Sequence, residues 1–347
     1  MARILYGVHG TGHGHAIRAL AVARLFPGHE FQFVSHGTGL ELLRREYPVF
    51  ECPNPETVVT GHRVRALVTL ASLIRFRRRR GECLRSVREL FDRFRPDATL
   101  TDYECVVPAV ARERRVRCLS LDHQHIIPLC GPVIPPGRYP EYLATVWAIR
   151  RLFSGATSHI AVSFFPPPRA PETASLRILP PVLRPAVTGF TPREGEHVLA
   201  YQGYSTFARF VPFLNEIGRP VFVYGLDRTG RDGNLVFKPN AEEEFLKDLA
   251  SCRYVICGGG HSLMAEALYF GKPVMSFPIR RAIEQFLNAW HVERLGYGRM
   301  RLSTNPSAGF IGSFESGLAR FGERIRAGRF CGNGPVSEAV AEFLSGT

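Results

Sequence analysis

Short β-branched runs alternate with longer amphipathic stretches along this chain, and the alternation occurs twice. In the first half, the predicted strands are residues 3–8, 30–35, 97–102, 116–121 and 158–163. In the second half, they are residues 197–202, 220–225, 234–239, 254–259 and 273–278. Strands separated by helical patterns indicate parallel sheets with crossover helices. The sequence therefore predicts an α/β protein with two doubly wound, Rossmann-like domains.

A proline-rich stretch separates the two halves. Residues 166–193 contain eight prolines, which continue neither a helix nor a strand, so this stretch is predicted to be a linker. It divides an N-terminal domain, residues 1–165, from a C-terminal domain, residues 194–330. A final helix within 331–347 is a candidate to pack back on the N-terminal domain. Glycine-rich turns follow strands in both halves, and we expect the two domains to face a central cleft.

Composition narrows the possible partners only in part. The net charge of +13 fits nucleic acid, anionic lipid or phosphorylated small molecules. Nucleic acid is not expected, because no recognition helix or basic sheet with interleaved aromatic residues is visible. The eight cysteines form no CxxC pair and are predicted to be small apolar residues in a reducing compartment. With no secretory signal and no apolar run of membrane-spanning length, we expect a cytoplasmic protein.

The stretch "CGGGHSLMAEALYFGKPVMSFP" is the most informative part of the second half. A predicted strand runs into Gly258, Gly259 and Gly260, and a helix is expected to begin near His261 or Ser262. Glycines let a backbone approach a ligand closely, and a helix N-terminus favours an anion. A diphosphate suits this geometry, with Glu266 one turn further on at a distance that fits a ribose. The alternative is an ordinary tight turn with a surface glutamate.

The next loop, "FPIRRAIEQ", places Glu284 beside Gln285 at the start of a helix. A carboxylate next to an amide supplies both acceptors and donors, as sugar hydroxyls require. Together, residues 252–296 resemble the donor-nucleotide signature of the GT-B glycosyltransferases. The closest likenesses are the lipid II-forming N-acetylglucosaminyltransferase of peptidoglycan synthesis and the UDP-glycosyltransferases.

That resemblance implies a set of donor-binding roles. The turn from Gly258 to Gly260, with Ser262, would hold the diphosphate, Glu266 the ribose, and Glu284 and Gln285 the sugar. The nucleotide base would lie near Phe237 and Lys238. In the plant-type enzymes a phosphate-binding histidine occupies the position of Gly258, so His261 either takes over that contact or points away. The resemblance implies no metal and no cofactor, with the nucleotide sugar as a substrate.

The opening turn, "GVHGTGHGHAIRAL", matches the acceptor side of these families. The resemblance places the catalytic base at His15, because a neutral imidazole can take a proton from an acceptor hydroxyl. It places the carboxylate of a His–Asp dyad at Asp102, whose alternative role is to cap the following helix. The further acceptor-side residues are Gly12, His13, Gly14 and His123. A metal site built from these histidines and Asp122 is conceivable but not expected.

The run "LIRFRRRRGE" sets five arginines, from Arg75 to Arg80, beside apolar residues. Such a run is most often the solvated face of a helix. The alternative is contact with an anionic membrane, which a lipid-linked acceptor would explain and which would make the protein peripheral on the inner face.

Taken together, the residues and the resemblance predict an inverting, metal-independent glycosyltransferase. Its donor would be a nucleotide diphosphate sugar, with UDP expected, and its acceptor a hydroxyl group of a sugar, a lipid-linked molecule or a cell-envelope glycan. Two alternatives remain open at this point. One is a UDP-sugar 2-epimerase, which would need no acceptor, and the other is a non-catalytic protein that binds nucleotide sugars.

Overall fold

The computed structural model describes residues 1–166, 175–203 and 206–346. The contacts within the chain divide it into two compact units. Unit 1 contains Met1–Val58, Ala66–Arg184 and the segment from Cys331 onward. Unit 2 contains Val59–Arg65 and Pro185–Phe330.

The strands follow the predicted alternation closely. In the first half they are β1 (Arg3–Val8), β2 (Glu30–Ser35), β3 (Val49–Glu51), β4 (Val59–Thr60), β5 (Arg63–Val64), β6 (Ala98–Asp102), β7 (Cys118–Asp122), β8 (Ser158–Val162) and β9 (Leu176–Leu179). In the second half they are β10 (Val198–Tyr201), β11 (Val221–Tyr224), β12 (Gly230–Asp232), β13 (Leu235–Phe237), β14 (Val255–Cys257), β15 (Val274–Ser276) and β16 (Gly298–Met300).

The helices lie between these strands, together with one 3₁₀ turn at Pro136–Arg138. They are α1 (Gly14–Arg24), α2 (Gly37–Leu43), α3 (Ala66–Phe94), α4 (Val107–Glu113), α5 (Ile126–Leu129), α6 (Tyr139–Leu152), α7 (Pro185–Thr188), α8 (Phe210–Asn215), α9 (Glu242–Ser251), α10 (His261–Tyr269), α11 (Ile283–Arg294), α12 (Ala308–Glu315), α13 (Leu318–Arg326) and α14 (Asn333–Ser345).

Each unit is built on its own seven-stranded sheet. The strand order in unit 1 is β3-β2-β1-β6-β7-β8-β9, and all its pairs are parallel. The order in unit 2 is β12-β13-β11-β10-β14-β15-β16, with only β12 antiparallel. The strand order reverses between β1 and β6 in unit 1, and between β10 and β14 in unit 2. Such points in parallel sheets are where ligands bind, beyond the carboxyl ends of the strands.

Apolar side chains explain why these segments pack as they do. The run "RILYGV" of β1 is buried almost throughout, as expected for a strand covered on both faces. Helix α1 buries its alanines and Val22 against the same sheet. The final helix, α14, adds Val336, Ala339 and Val340 to this core. The C-terminal segment, which was a candidate to pack on the N-terminal domain, therefore lies in unit 1. Unit 2 has a separate core rich in phenylalanine.

The structure differs from the predicted linker over 166–193. Strand β9 lies inside that range and pairs with β8, so the sheet of unit 1 extends beyond residue 165. Four residues, "LRIL", between proline-containing stretches are enough for an edge strand. Residues 167–174 of the expected linker lie outside the described residues.

A second difference concerns the hairpin of β4 and β5. This hairpin comes from the N-terminal half of the chain but belongs to unit 2. Its backbone pairs with that of Arg280, since Val64 N–H donates to Arg280 O and Arg280 N–H donates to His62 O, each at 3.0 Å. A short excursion of this kind leaves no periodic signal in the sequence.

Candidate functional site

The opening glycine-rich turn is folded against its neighbours by close backbone approaches. A Cβ atom at Gly10 would lie 1.8 Å from the carbonyl oxygen of His36, so only glycine fits there. Gly12 has a φ of 78°, which also favours glycine. The N–H of His9 donates to the carbonyl of Asp102 at 2.9 Å, which ties the end of β1 to the end of β6. The turn thereby delivers α1 to the point where the strand order reverses.

His15 and Asp102 are in direct contact at this point. His15 Nδ1 lies 2.6 Å from Asp102 Oδ1, and the carboxylate is fully buried while the imidazole is 13% exposed. Because the carboxylate accepts, Nδ1 carries the proton and Nε2 keeps its lone pair. The side-chain amide nitrogen of Gln124 lies 3.4 Å from that Nε2. The structure therefore brings the two predicted catalytic residues together, with His15 in the tautomer that a general base needs.

Arg18 completes this cluster and was not predicted from the sequence. Its Nε donates to Asp102 Oδ2 and its Nη2 to Asp102 Oδ1, both at 2.7 Å. Burial lowers the pKa of Arg18, but the charge and hydrogen bonds of Asp102 raise it more, and the net shift is upward. The guanidinium thus stays charged and fixes both carboxylate oxygens. The spacing could have predicted this contact, because Arg18 is three residues from His15 and lies on the same face of α1.

A buried histidine, His9, lies beside His15 and contacts a second one, His36. The ring centroid of His9 is 5.2 Å from that of His15 and 5.4 Å from that of His36. Burial, followed by the charges of His15 and His36, holds the pKa of His9 well below its ordinary value, so its ring is neutral. Asn54 fixes its tautomer by donating from Nδ2 to His9 Nδ1 at 2.8 Å. Tyr103 stacks on His15 with a centroid distance of 5.9 Å.

The two other histidines predicted on the acceptor side differ in exposure. His13 is exposed at the start of α1, between Gly12 and Gly14, where it is accessible to a ligand. His123 is only 1% exposed, and its Nδ1 donates to the carbonyl of Val162 at 2.8 Å. His123 therefore supports the carboxyl edge of the sheet from within, and its acceptor-side role stays a prediction. Gln124 of the same loop reaches His15.

Asp122 is also structural. It accepts from Ser120 Oγ, from the backbone N–H of His125 and from His125 Nδ1, at 2.7 to 2.8 Å. Burial alone would raise the pKa of Asp122, but the charge and hydrogen bonds of His125 lower it overall. The described residues contain no group of three or more His, Cys, Asp or Glu side chains placed to hold a metal ion.

In unit 2 the predicted donor turn lies between β14 and α10. Helix α10 begins at His261, so the partial positive charge of its N-terminus lies directly beside Gly260. A Cβ atom at Gly260 would meet no atom within 4 Å, so this face of the turn is open. A Cβ at Gly259 would lie 2.4 Å from both Cβ and O of Gln285, so that glycine is required by packing on α11. Of the three glycines, Gly260 therefore offers the surface that a ligand can approach.

Gln285 binds the turn itself. Its Oε1 accepts from the N–H of Gly259 at 3.2 Å and from the N–H of Ile279 at 3.1 Å. Asn288 Nδ2, one turn along α11, donates to the carbonyl of Gly259 at 2.9 Å. The carboxamide oxygen of Gln285 therefore binds the backbone of the turn, and the sugar-binding role of Gln285 stays a prediction. The sequence could not show this, since it depends on the distance between α11 and the turn.

The remaining donor predictions lie along α10, α11 and β13. His261 and Glu266 are buried at 5% and 4% exposure, whereas Ser262 and Glu284 are half-buried. Phe237 belongs to the core of unit 2. Lys238 Nζ donates to Glu244 at 2.9 Å and to Asp248 at 2.7 Å. Phe237 therefore packs inward and the Lys238 ammonium is held by two carboxylates, so a base at the end of β13 would meet the backbone there, and that placement stays a prediction.

Residues 2–318 match the family described as Glycosyl transferase family 1. An uncharacterized glycosyltransferase of Methanosarcina acetivorans is 25% identical, with 88% of this chain and 85% of that protein covered. An uncharacterized glycosyltransferase of Methanosarcina mazei is 52% identical over 52 residues, 15% of this chain. For that protein and for another match in Methanosarcina acetivorans, this chain spans only 14% and 18% of the relative's length.

Solved structures share the fold at low sequence identity. The calicheamicin glycosyltransferase CalG4 has a TM-score of 0.68 at 17% identity, with 99% of this chain and 98% of that chain covered. Acinetobacter baumannii MurG has a TM-score of 0.61 at 15% identity, with both chains fully covered. Streptomyces sp. SF2575 SsfS6, complexed with thymidine diphosphate, has a TM-score of 0.62 at 16% identity over 99% and 100% of the two chains. These similarities confirm the predicted GT-B fold.

Proposed function

Because this chain belongs to glycosyl transferase family 1, we propose that it is an inverting glycosyltransferase that uses a UDP-linked sugar. Membership of this family confirms the enzyme class that the sequence predicts. The observation that carries the proposal is the contact of His15 Nδ1 with Asp102 at 2.6 Å. It leaves Nε2 as the proton acceptor on a partly exposed ring. A histidine held in one tautomer by a buried carboxylate is suited to general-base catalysis.

The proposed step is a single displacement. His15 Nε2 takes the proton of the acceptor hydroxyl while the hydroxyl oxygen bonds to the anomeric carbon of the donor. The bond from that carbon to the diphosphate oxygen breaks, and its electron pair leaves with the nucleoside diphosphate. Attack from the face opposite the leaving group inverts the configuration. Asp102 stabilises the imidazolium that forms, and Arg18 keeps the carboxylate oriented.

The leaving diphosphate is proposed to bind at Gly260 and the N-terminus of α10. The open side of Gly260 and the positive end of the helix support this placement. The thymidine diphosphate complex of SsfS6 supports a nucleoside diphosphate as the leaving group in this fold. We propose that no metal or other cofactor is needed, since the helix terminus supplies the charge stabilisation. Undiminished turnover in EDTA is the expected result.

The proposed acceptor is a sugar, lipid-linked or other hydroxyl compound, and the surface of α3 supports a membrane-bound source. Leu67, Leu70 and Ile74 are 83%, 52% and 47% exposed and lie on one face of α3. The exposed arginines from Arg75 to Arg80 follow within the next turns. No helix among the described residues is both long enough and apolar enough to span a bilayer. We expect cosedimentation with phosphatidylglycerol vesicles but not with phosphatidylcholine, and its loss when Arg77 to Arg80 become glutamine.

The decisive test is His15→Ala, with His29→Ala as the matched control. We expect His15→Ala to reduce turnover of a UDP-sugar donor at least about 100-fold and to leave the thermal shift produced by UDP unchanged. His29, which accepts from the N–H of Ala2 and whose ring contacts that of Phe26 in unit 1, should tolerate the same change with normal turnover. Unchanged turnover in His15→Ala contradicts the proposed base. Formation of a 2-epimer from UDP-GlcNAc without an acceptor favours the epimerase instead.

A further inference from the structure

A pocket in unit 2 is lined by arginines and lies at the β4–β5 hairpin. It has a volume of about 580 Å³, and the lining residues include no aspartate or glutamate in the described part of the chain. Its four arginines are Arg63, Arg65, Arg209 and Arg280. Hydroxyl and amide groups of Thr60, Thr206, Thr304 and Asn305 share the lining.

Among the residues that the structure describes, most of this positive charge has no counter-ion. Arg209 pairs with Glu216 at 3.0 Å, but among the described residues no carboxylate lies within salt-bridge distance of Arg63, Arg65 or Arg280. Arg65 instead donates to the hydroxyl of Thr60 at 2.7 Å. Guanidinium groups without carboxylate partners are well suited to bind phosphate oxygens in pairs.

The backbone holds two of these arginines side by side. Arg63 and Arg280 are partners in a parallel bridge, so their side chains leave the paired strands in the same direction. Like charges placed opposite each other across strands are destabilising. The hairpin is nevertheless firmly seated, because His62 is 2% exposed and its ring contacts that of Phe207 with centroids 5.1 Å apart. Arginines without carboxylate partners on a firmly packed backbone are the arrangement expected of an anion-binding site.

We propose that this arginine pocket binds a phosphate or diphosphate group, distinct from the diphosphate of the nucleotide at Gly260. The two places are neighbours, because the Oε1 atom of Gln285 joins the N–H of Gly259 to that of Ile279, and Arg280 follows Ile279. The bound group is the phosphate or diphosphate of a second ligand. The site is defined by charge and shape alone and does not depend on the proposed transfer reaction.

The test is calorimetric titration of the full chain with inorganic pyrophosphate. A Cβ at Gly260 meets no atom within 4 Å, so Gly260→Val is expected to fill the open face of the donor turn, and binding that remains in this variant reports on the pocket. In the Gly260→Val background, Arg63→Gln with Arg280→Gln should weaken pyrophosphate binding at least about tenfold. Arg281→Gln, which removes an adjacent exposed arginine outside the pocket, should change it less than about twofold.

Two results would overturn the proposal. One is loss of all pyrophosphate binding in Gly260→Val, which would make the donor turn the only site. The other is equal affinity in the double glutamine variant and in Arg281→Gln. A parallel titration of Arg63→Gln with Arg280→Gln, in which Gly260 is intact, with UDP reports on the donor turn rather than on the pocket, so the two proposals fail separately. Farnesyl diphosphate that binds more tightly than pyrophosphate indicates a lipid-linked source, and equal binding a soluble one; either result supports the pocket.

Discussion

The carboxyl edges of the two sheets carry their sites in opposite ways. At the edge of unit 1, ionisable side chains bind one another, and the backbone serves only to position them. At the edge of unit 2, the candidate site is the backbone of a glycine turn, and the side chains of Gln285 and Asn288 bind that backbone. The first arrangement should therefore be most sensitive to the removal of a charge. The second should be most sensitive to the addition of a single carbon atom.

The largest effect is expected from Asp102→Asn in unit 1. The substitution leaves the charge of Arg18 buried at 5% exposure without its counter-ion. Breaking one side of a buried ion pair costs about 3–5 kcal/mol of unfolding free energy. We also expect transfer to fall at least about 100-fold, because His15 loses the carboxylate that stabilises its protonated form. Urea denaturation and steady-state kinetics measure the two effects.

The double variant Arg18→Met, Asp102→Leu separates stability from chemistry. Replacing both charges by apolar groups of similar size removes the unpaired ion, so most of the lost stability should return. Activity should stay lost, because no carboxylate then faces His15. A double variant as unstable as Asp102→Asn would show that the buried charges are not the cause of the instability.

Adding one methyl group at Gly259 is the corresponding change in unit 2. Its Cβ would lie 2.4 Å from the backbone oxygen of Gln285, and a helix backbone cannot shift easily. We expect Gly259→Ala to cost about 1–3 kcal/mol and to abolish the thermal shift produced by UDP. Gly260→Ala is the matched control, because no atom lies within 4 Å of its Cβ, and its unfolding free energy should be unchanged. Equal destabilisation by both substitutions would contradict the packing argument.

The same contrast explains what the sequence could predict. Contact between His15 and Asp102 was predictable, because both lie at strand carboxyl ends of one parallel sheet, and neighbouring strands bring those ends together. The two sheets and the family were predictable from the alternation of elements and the glycine turns. Which glycine faces a ligand and which packs on a helix was not, since Gly259 and Gly260 are identical in sequence terms.

The sequence also could not show which polar side chains bind the protein's own backbone instead of a ligand. Gln285 and His123 have the residue types of ligand-binding groups, yet Gln285 binds the turn and His123 binds the carbonyl of Val162. A polar side chain near a turn can satisfy either a ligand or a buried backbone group, and only the distances decide. Strands β3, β9, β12 and β16 were also missed; they are the edge strands of the two sheets, which bury fewer residues and so carry a weaker apolar signal.

Gln285→Leu should weaken donor binding less than the substitution of Gly259 does. It keeps the bulk of the side chain but removes the oxygen that accepts from Gly259 and Ile279, which costs about 1–3 kcal/mol for donors left unsatisfied. The turn should loosen, and the KM for the donor should rise. Gln285→Glu keeps an acceptor oxygen and should retain most of the donor affinity. Equal KM values in the leucine variant and the native protein would argue against this role.

The smallest effect concerns Glu104, which does in unit 1 what Gln285 does in unit 2. Its carboxyl accepts from the N–H groups of Val106 and Val107 at 2.6 and 2.8 Å, at the start of α4. No cation lies within salt-bridge distance among the residues that the structure describes. Burial raises the pKa of Glu104 from 4.5 to about 7, although the backbone hydrogen bonds oppose this. The folded protein therefore holds this proton more tightly than the unfolded chain.

The sign of the resulting pH dependence follows from that shift. The contribution of Glu104 to stability is complete below about pH 4.5 and is lost as the pH rises to about 7, with a slope of at most about 1.4 kcal/mol per pH unit. Glu104→Gln keeps an acceptor oxygen but cannot ionise, so the variant should gain stability relative to the native protein across this window. Denaturation midpoints of both proteins between pH 5 and 8 measure the difference. A constant difference over that range would mean that Glu104 does not titrate there, and that the edge of unit 1 holds it as a permanent charge.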